Sequence, residues 1–191
     1  MKSVYWVVMG LLLPATANAS AFAAAVPEPA SLMLLATGLA GYSLVCLVGH
    51  NGFQLSTDEM TSLYSYLQSG GTLFVESCRR DAQAATAADH SFNDLFSSLG
   101  LKLDNVATGH NLLVEPNLFA APPAGYETDG LPIVQAGDGV VFSAADYGCL
   151  WQGERRSGAA GRDAIRTAHE WGGNVLALAE ARRRQAAGLK P

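Results

Sequence analysis

Between Lys2 and Asp58 the chain carries a single charge, Glu28. No other feature of its 191 residues constrains the fold as strongly. A segment with so little charge must be buried in protein, taken up by lipid or removed during export. Two apolar runs lie within it. Val4 to Leu13, interrupted only by Gly10, follows Lys2 and ends at Pro14, and Ala17-Asn18-Ala19 then supplies a small-x-small cleavage pattern. About ten apolar residues are too few to span a bilayer, which takes ~20, so residues 1–19 read as a secretory signal. Residues 20–29 form a linker that holds Pro27-Glu28-Pro29. The second run, Ala30 to Gly49, is twenty residues without a charge and reads as a hydrophobic helix in the membrane. The expected location is therefore the cell envelope, exported and membrane-associated, with residues 50–191 forming the folded domain.

Charge is uneven beyond that front. Asp81 to Glu154 holds ten acidic residues and one basic, whereas Arg155 to Pro191 holds eight basic and three acidic. Twelve basic against seventeen acidic residues overall exclude a generally basic nucleic-acid binder. The basic end reads as a solvated helix face, with an anionic-lipid contact by Arg182, Arg183 and Arg184 as the other reading.

From His50 onward, helical and strand patterns alternate. Ser56 and Glu59 are spaced as a capping box before Met60, Leu63, Tyr64 and Leu67, one apolar helical face. Thr72 to Glu76 reads as a buried strand. Phe92, Leu95, Phe96 and Leu99 mark a second helix, and Leu101 to Val106 a strand. A loop spans Asn117 to Gly130. Strands are expected at Leu131–Gln135 and Val140–Ser143 around Gly137-Asp138-Gly139. Two helices follow, Ala159–Trp171 and Asn174–Gln185, separated by a break or kink at Gly172-Gly173. Such alternation argues an α/β layered sheet covered by helices.

Two resemblances add to this reading. Val26-Pro27-Glu28-Pro29-Ala30-Ser31-Leu32, with Leu34-Leu35, Gly38-Leu39 and Gly41, resembles the PEP-CTERM sorting signal of Gram-negative bacteria. That resemblance implies an exosortase-type sorting enzyme as partner. The family signal sits at the extreme C-terminus and ends in an Arg cluster, whereas here about 140 residues follow and Gly49-His50-Asn51-Gly52 takes the cluster's place. From about Leu47 to Leu178 the chain resembles domain of unknown function 4159. The landmarks are Gly49-His50, Gly70-Gly71-Thr72-Leu73, Glu76-Ser77-Cys78, Val141-Phe142-Ser143, Asp146-Tyr147-Gly148, Trp151 and Gly173-Asn174-Val175-Leu176. This resemblance implies a flavodoxin-like sheet of the class I glutamine amidotransferase-like superfamily, with helices on both faces. The family's first strand–helix unit has no counterpart in the sequence, so the sheet is expected to be incomplete at its N-terminal side. Ser43–Val48 competes between a sheet strand and the end of the membrane helix.

Cys78, followed by Arg79-Arg80, is the candidate nucleophile that the superfamily places on a strand-to-helix turn. Neighbouring cations and helix amides would favour its thiolate. A base is needed as well, but none of His50, His90 or His110 stands in a His-x-Glu pair. The family fold would gather His50, Glu76, His110 and Asp146 at the carboxyl ends of strands, where open α/β sheets bind ligands. No CxxC pair, Walker A, GxGxxG or GxSxG sequence is present, so neither structural zinc nor a cofactor is expected, and a divalent metal stands only as the alternative to a polar small molecule at those four residues. A Cys78–Cys149 disulfide is conceivable after export. The leading reading is a non-catalytic domain that binds a small molecule or protein partner through His50, Glu76, His110 and Asp146. The alternatives are a Cys78-dependent hydrolase or amidotransferase and a non-functional fusion.

Overall fold

A computed structural model describes residues 5–7, 41–77, 85–126, 133–155 and 158–189. Its centre is a six-stranded sheet in the order β1-β2-β3-β6-β5-β4. The strands are β1 (Tyr5–Val7), β2 (Leu44–Gly49), β3 (Thr72–Ser77), β4 (Asp104–Asn105), β5 (Val134–Gly137) and β6 (Val140–Ser143). Only β2, β3 and β6 run parallel; β1 pairs antiparallel with β2, β5 with β6 and β4 with β5. The sheet is thus mixed, with antiparallel strands on both sides of a parallel centre. A second, two-stranded ribbon joins β7 (Glu154–Arg155) to β8 (Gly158–Ala159).

Helices α1 (Thr57–Gln68), α2 (Ala87–Ser98), α3 (Tyr147–Trp151) and α4 (Arg162–Ala186) cover the sheet. On one face Val45, Leu47, Leu73 and Val75 pack with Leu63 and Leu67 of α1 and Phe92, Leu95 and Phe96 of α2. On the other, Leu44, Cys46, Phe74 and Val141 pack with Tyr147 and Leu150 of α3 and Trp171, Val175 and Ala179 of α4. Helices therefore lie on both faces, as expected. Full burial of a Leu, Phe or Val side chain contributes about 1.5–3 kcal/mol, and both layers hold many of them.

The central strands explain the last apolar stretch of the charge-free front, Leu44–Gly49. A strand covered on both faces has no polar side, so it reads as an unbroken apolar run. Leu44–Gly49 is such a strand, its register running from Leu44 beside Thr72 to Gly49 beside Ser77. The twenty-residue hydrophobic helix expected over 30–49 is corrected accordingly: its last six residues belong to the sheet. Residues 30–40, like Pro27, Glu28 and Pro29, lie outside the described residues. Within the segment read as a signal, Tyr5, Trp6 and Val7 pair with Val48, Leu47 and Cys46. Among the described residues no helix is long and apolar enough to cross a membrane.

Local signals fared unevenly. The Ser56–Glu59 capping box forms, and α2 starts with a second box, Thr86 with Asp89, that the apolar face alone did not mark. Tyr64 is exposed whereas Tyr66 is buried, its hydroxyl donating to the Thr72 carbonyl. The strand expected over 101–106 shrinks to Asp104–Asn105, and the one expected to end at Gln135 runs to Gly137. The break at Gly172-Gly173 does not occur, because α4 is continuous for 25 residues. Glycine in a helix costs about 1 kcal/mol against Ala. Gly172 offsets this by contact, since a Cβ there would lie 3.0 Å from Cζ2 of Trp151. Asn174, wholly buried, then ties α4 to the preceding loop. Its carboxamide oxygen accepts from the Asn117 backbone and side-chain N–H groups, and its nitrogen donates to the Leu112 and Asn117 carbonyls.

Candidate functional site

Parallel strands bring their carboxyl ends to one edge, and the register sets Val48, Glu76 and Ser143 side by side there. His50 follows β2, and Asp146 follows β6 by three residues. Three of the four candidate ligand-facing residues thus share one end of the sheet. Their environments differ. Glu76 is 2% exposed. Its Oε1 accepts the Tyr147 N–H at 2.8 Å and its Oε2 the Gly148 N–H at 2.9 Å. These are the unpaired amides of the first turn of α3, and a buried anion at a helix start satisfies them and the local dipole together. Glu76 therefore anchors the start of α3.

Asp146 makes the turn into α3 with φ at 52°, a left-handed conformation that Asp tolerates better than most residues. The loop before β5 covers it. Tyr126 donates its N–H to the Ala145 carbonyl at 2.7 Å, and Tyr147 donates its hydroxyl to the Pro123 carbonyl at 2.6 Å. Gly125 lies so close to Ala145 that any Cβ would collide with its backbone. Asp146 is left 4% exposed, whereas His50 is exposed.

His110 does not join the other three. It caps a 3-10 turn, Asn111–Leu113, its Nδ1 accepting the Leu112 N–H at 3.2 Å. There it lines a groove with Thr72 and Gly139, which belong to the amino ends of β3 and β6. The expected cluster of His50, Glu76, His110 and Asp146 is corrected on this point: the connection after β4 carries His110 to the opposite end of the sheet. Cys78 lies outside the described residues, and with it the disulfide to Cys149 that the sequence leaves conceivable. Ser77, just before it, is buried with its hydroxyl 3.2 Å from that of Thr86. Cys46, under α4, has its thiol pushed up to about 12 by burial and, secondly, by the charge of Glu76; it stays protonated. Among the described residues no three His, Cys, Asp or Glu side chains gather as a metal site.

The basic cluster has structural work. Arg182 donates from Nε to the Gly71 carbonyl and from Nη2 to the Leu67 carbonyl, and Arg183 donates to the Ser69 carbonyl. These carbonyls close the C-terminus of α1, where cations are favoured.

Beside His50 the loop after β2 folds onto α2, and between them opens a cleft of about 620 Å3. Gly52–Leu55 and Met60 line one side, and Ser91, Asp94, Leu95 and Ser98 of α2 the other. The Phe53 N–H donates to Ser91 Oγ at 2.9 Å, and the Phe53 ring meets Phe92 edge-on at 4.8 Å. The loop is thereby held in place. The cleft combines apolar walls with one carboxylate and several hydroxyl and amide groups, and its volume lies within the ~300–1,000 Å3 of small-molecule sites. No motif in the sequence marks these residues as a site; Met60 and Leu95 read there only as members of apolar helical faces. The signal available was Ser91, Asp94 and Ser98 at i, i+3 and i+7, a polar stripe on one face of α2 beside Leu95.

A family described as a domain of unknown function (DUF4159) matches residues 9–179. The matched span takes in residues 9–49, most of the front that reads as signal, linker and hydrophobic segment. None of the curated proteins matches the chain.

Proposed function

Since this chain belongs to the DUF4159 family of domains of unknown function, we propose from its geometry that it is a binding domain of the cell envelope, not a catalyst. The observation that carries this reading is the cleft between the Gly52–Leu55 loop and α2, next to the carboxyl end of β2, where α/β sheets take their ligands. Phe53, Leu55, Met60 and Leu95 suit an apolar body, and Asp94 with Ser98 suits a cationic or hydroxylated end. The ligand is a small amphipathic molecule of that kind. The amidotransferase-like superfamily fits the parallel β2-β3-β6 centre as kinship of fold.

Export rests on Lys2, the Val4–Leu13 run and Ala17-Asn18-Ala19, and sorting on the likeness of Pro27-Glu28-Pro29 and its flank to the PEP-CTERM signal. Because β2 takes Leu44–Gly49, membrane association in this reading is peripheral. Cleavage after Ala19 would also remove β1 and leave β2 as the sheet edge. N-terminal sequencing of the envelope fraction tests this: a mature chain beginning at Met1 refutes export by cleavage.

The binding reading is tested by titrating the 15N-labelled full chain with phenethylamine as an amphipathic cation. Amide shifts should concentrate at Gly52–Leu55 and Ser91–Ser98 and weaken in Asp94→Asn. Shifts confined to other regions, or none, defeat the proposal. A second reading, a Cys78-dependent hydrolase or amidotransferase, is favoured by one observation: Cys78 directly follows Ser77 at the carboxyl end of β3. Rapid alkylation of Cys78 by iodoacetamide near neutral pH would support it, and slow alkylation would count against it.

A further inference from the structure

The last turns of α4 cross the amino ends of β3 and β6, and a groove of about 280 Å3 lies between them. Its polar lining is Thr72, His110, Asn111, Arg182 and Gln185. We propose that this groove binds a compact oxyanion, the carboxylate or phosphate group of a small molecule, through Arg182, His110 and Thr72. It lies at the other end of the sheet from the cleft beside His50, so the two sites are independent.

Thr72 is 1% exposed, and its hydroxyl has no hydrogen-bond partner. Strand alternation puts its side chain with that of Phe74, on the face covered by α4. Buried hydroxyls are nearly always paired, so an unpaired one in the wall of a groove points to an acceptor from outside the chain. His110 Nδ1 accepts the Leu112 N–H. That bond leaves Nε2 as the protonated, donating nitrogen. Arg182 is fixed by its bonds to the Gly71 and Leu67 carbonyls, at 3.2 and 2.7 Å, and its other N–H groups remain to donate. The side-chain amides of Asn111 and Gln185 add further donors. Among the described residues no carboxylate lines the groove. Asp138, in the adjoining turn, accepts the Lys102 N–H at 2.8 Å. The last carbonyls of α4 carry a partial negative charge of about half a unit, and Arg182, Arg183 and Arg184 outweigh it. One fixed guanidinium among neutral donors selects an anion, and the volume admits only a small one.

The test follows the His110 ring signals of the full chain by NMR. Potassium phosphate and potassium acetate are titrated separately, against potassium chloride at equal ionic strength. Saturable shifts are expected with phosphate, acetate or both, and not with chloride. The tighter anion identifies whether a phosphate or a carboxylate is the natural group. Thr72→Val, which keeps the shape and removes the hydroxyl, should weaken binding about tenfold, as the loss of one such hydrogen bond does. Gln185→Glu, a charge change at an exposed position, should weaken it at least as much and decides alone if Thr72→Val fails to fold. Absence of saturable shifts with both anions overturns the proposal. So does unchanged affinity in either folded variant, which would mark an adventitious ion only.

Discussion

Replacing Glu76 by Gln separates an anchor from a ligand-facing group. The carboxylate accepts two N–H groups at 2.8 and 2.9 Å while 2% exposed. Hydrogen bonds to a charged partner contribute about 1.5–3 kcal/mol each. Gln keeps one carbonyl oxygen, so one bond survives in neutral form. Its NH2 then faces the other amide N–H, donor against donor, and that amide is left unsatisfied. The expected loss is roughly 2–4 kcal/mol of folding stability. For a chain of this length about 2–4 °C of melting temperature accompanies each kcal/mol, so the midpoint should fall by roughly 5–15 °C. Urea and thermal unfolding followed by far-UV circular dichroism measure it. The phenethylamine titration of the cleft should be unchanged, because Glu76 does not line it. A Glu76→Gln protein as stable as the parent to within about 0.5 kcal/mol would refute the anchoring argument and return Glu76 to the list of ligand-facing groups.

Asn174→Ala should destabilise by about 2–4 kcal/mol, since it strands the Asn117 N–H and the Leu112 and Asn117 carbonyls against α4; urea unfolding reads it. Arg182→Ala should cost about 1–2 kcal/mol by uncapping α1 at Leu67 and Gly71, and sedimentation with anionic vesicles should not change. Cys46 is raised from 9.0 to about 12, chiefly by burial. Above pH ~9 the unfolded chain therefore loses this proton while the folded chain keeps it. Its contribution is intact below that pH and declines as pH rises, by up to about 1.4 kcal/mol per unit. Cys46→Ala should flatten this part of a stability–pH curve measured by urea unfolding. Tyr66 and Tyr147, also raised mainly by burial, would steepen the fall from about pH 10 upward in both proteins.

Elements whose causes are local were legible from the residues alone. Ser56 and Glu59 face each other across one helical turn, so their capping box could be read from spacing, and Val140–Ser143 emerged from its apolar run beside a Gly-Asp-Gly turn. The layered α/β class followed from the alternation of such elements, and the family resemblance was carried by short landmarks along the chain. Tertiary structure decided the rest, because it depends on what each segment meets. Leu44–Gly49 has the composition of a membrane helix and of a strand covered on both faces, and only the pairing with Thr72–Ser77 distinguishes them. Gly172-Gly173 would end a solvated helix, but Trp151 packs against Gly172 and α4 runs on. Glu76 became an anchor once α3 offered it two amides, a short helix with no periodic signal of its own. His110 went to the far end of the sheet because the path after β4 is set by packing on α4 through Asn117 and Asn174. The cleft beside His50 had no motif to announce it, since its walls come from a loop and a helix about 40 positions apart that meet through the Phe53 N–H and Ser91 Oγ. Spacing encodes contacts within a turn or two of chain; a site built across the sheet exists only when burial and hydrogen bonding bring distant segments together.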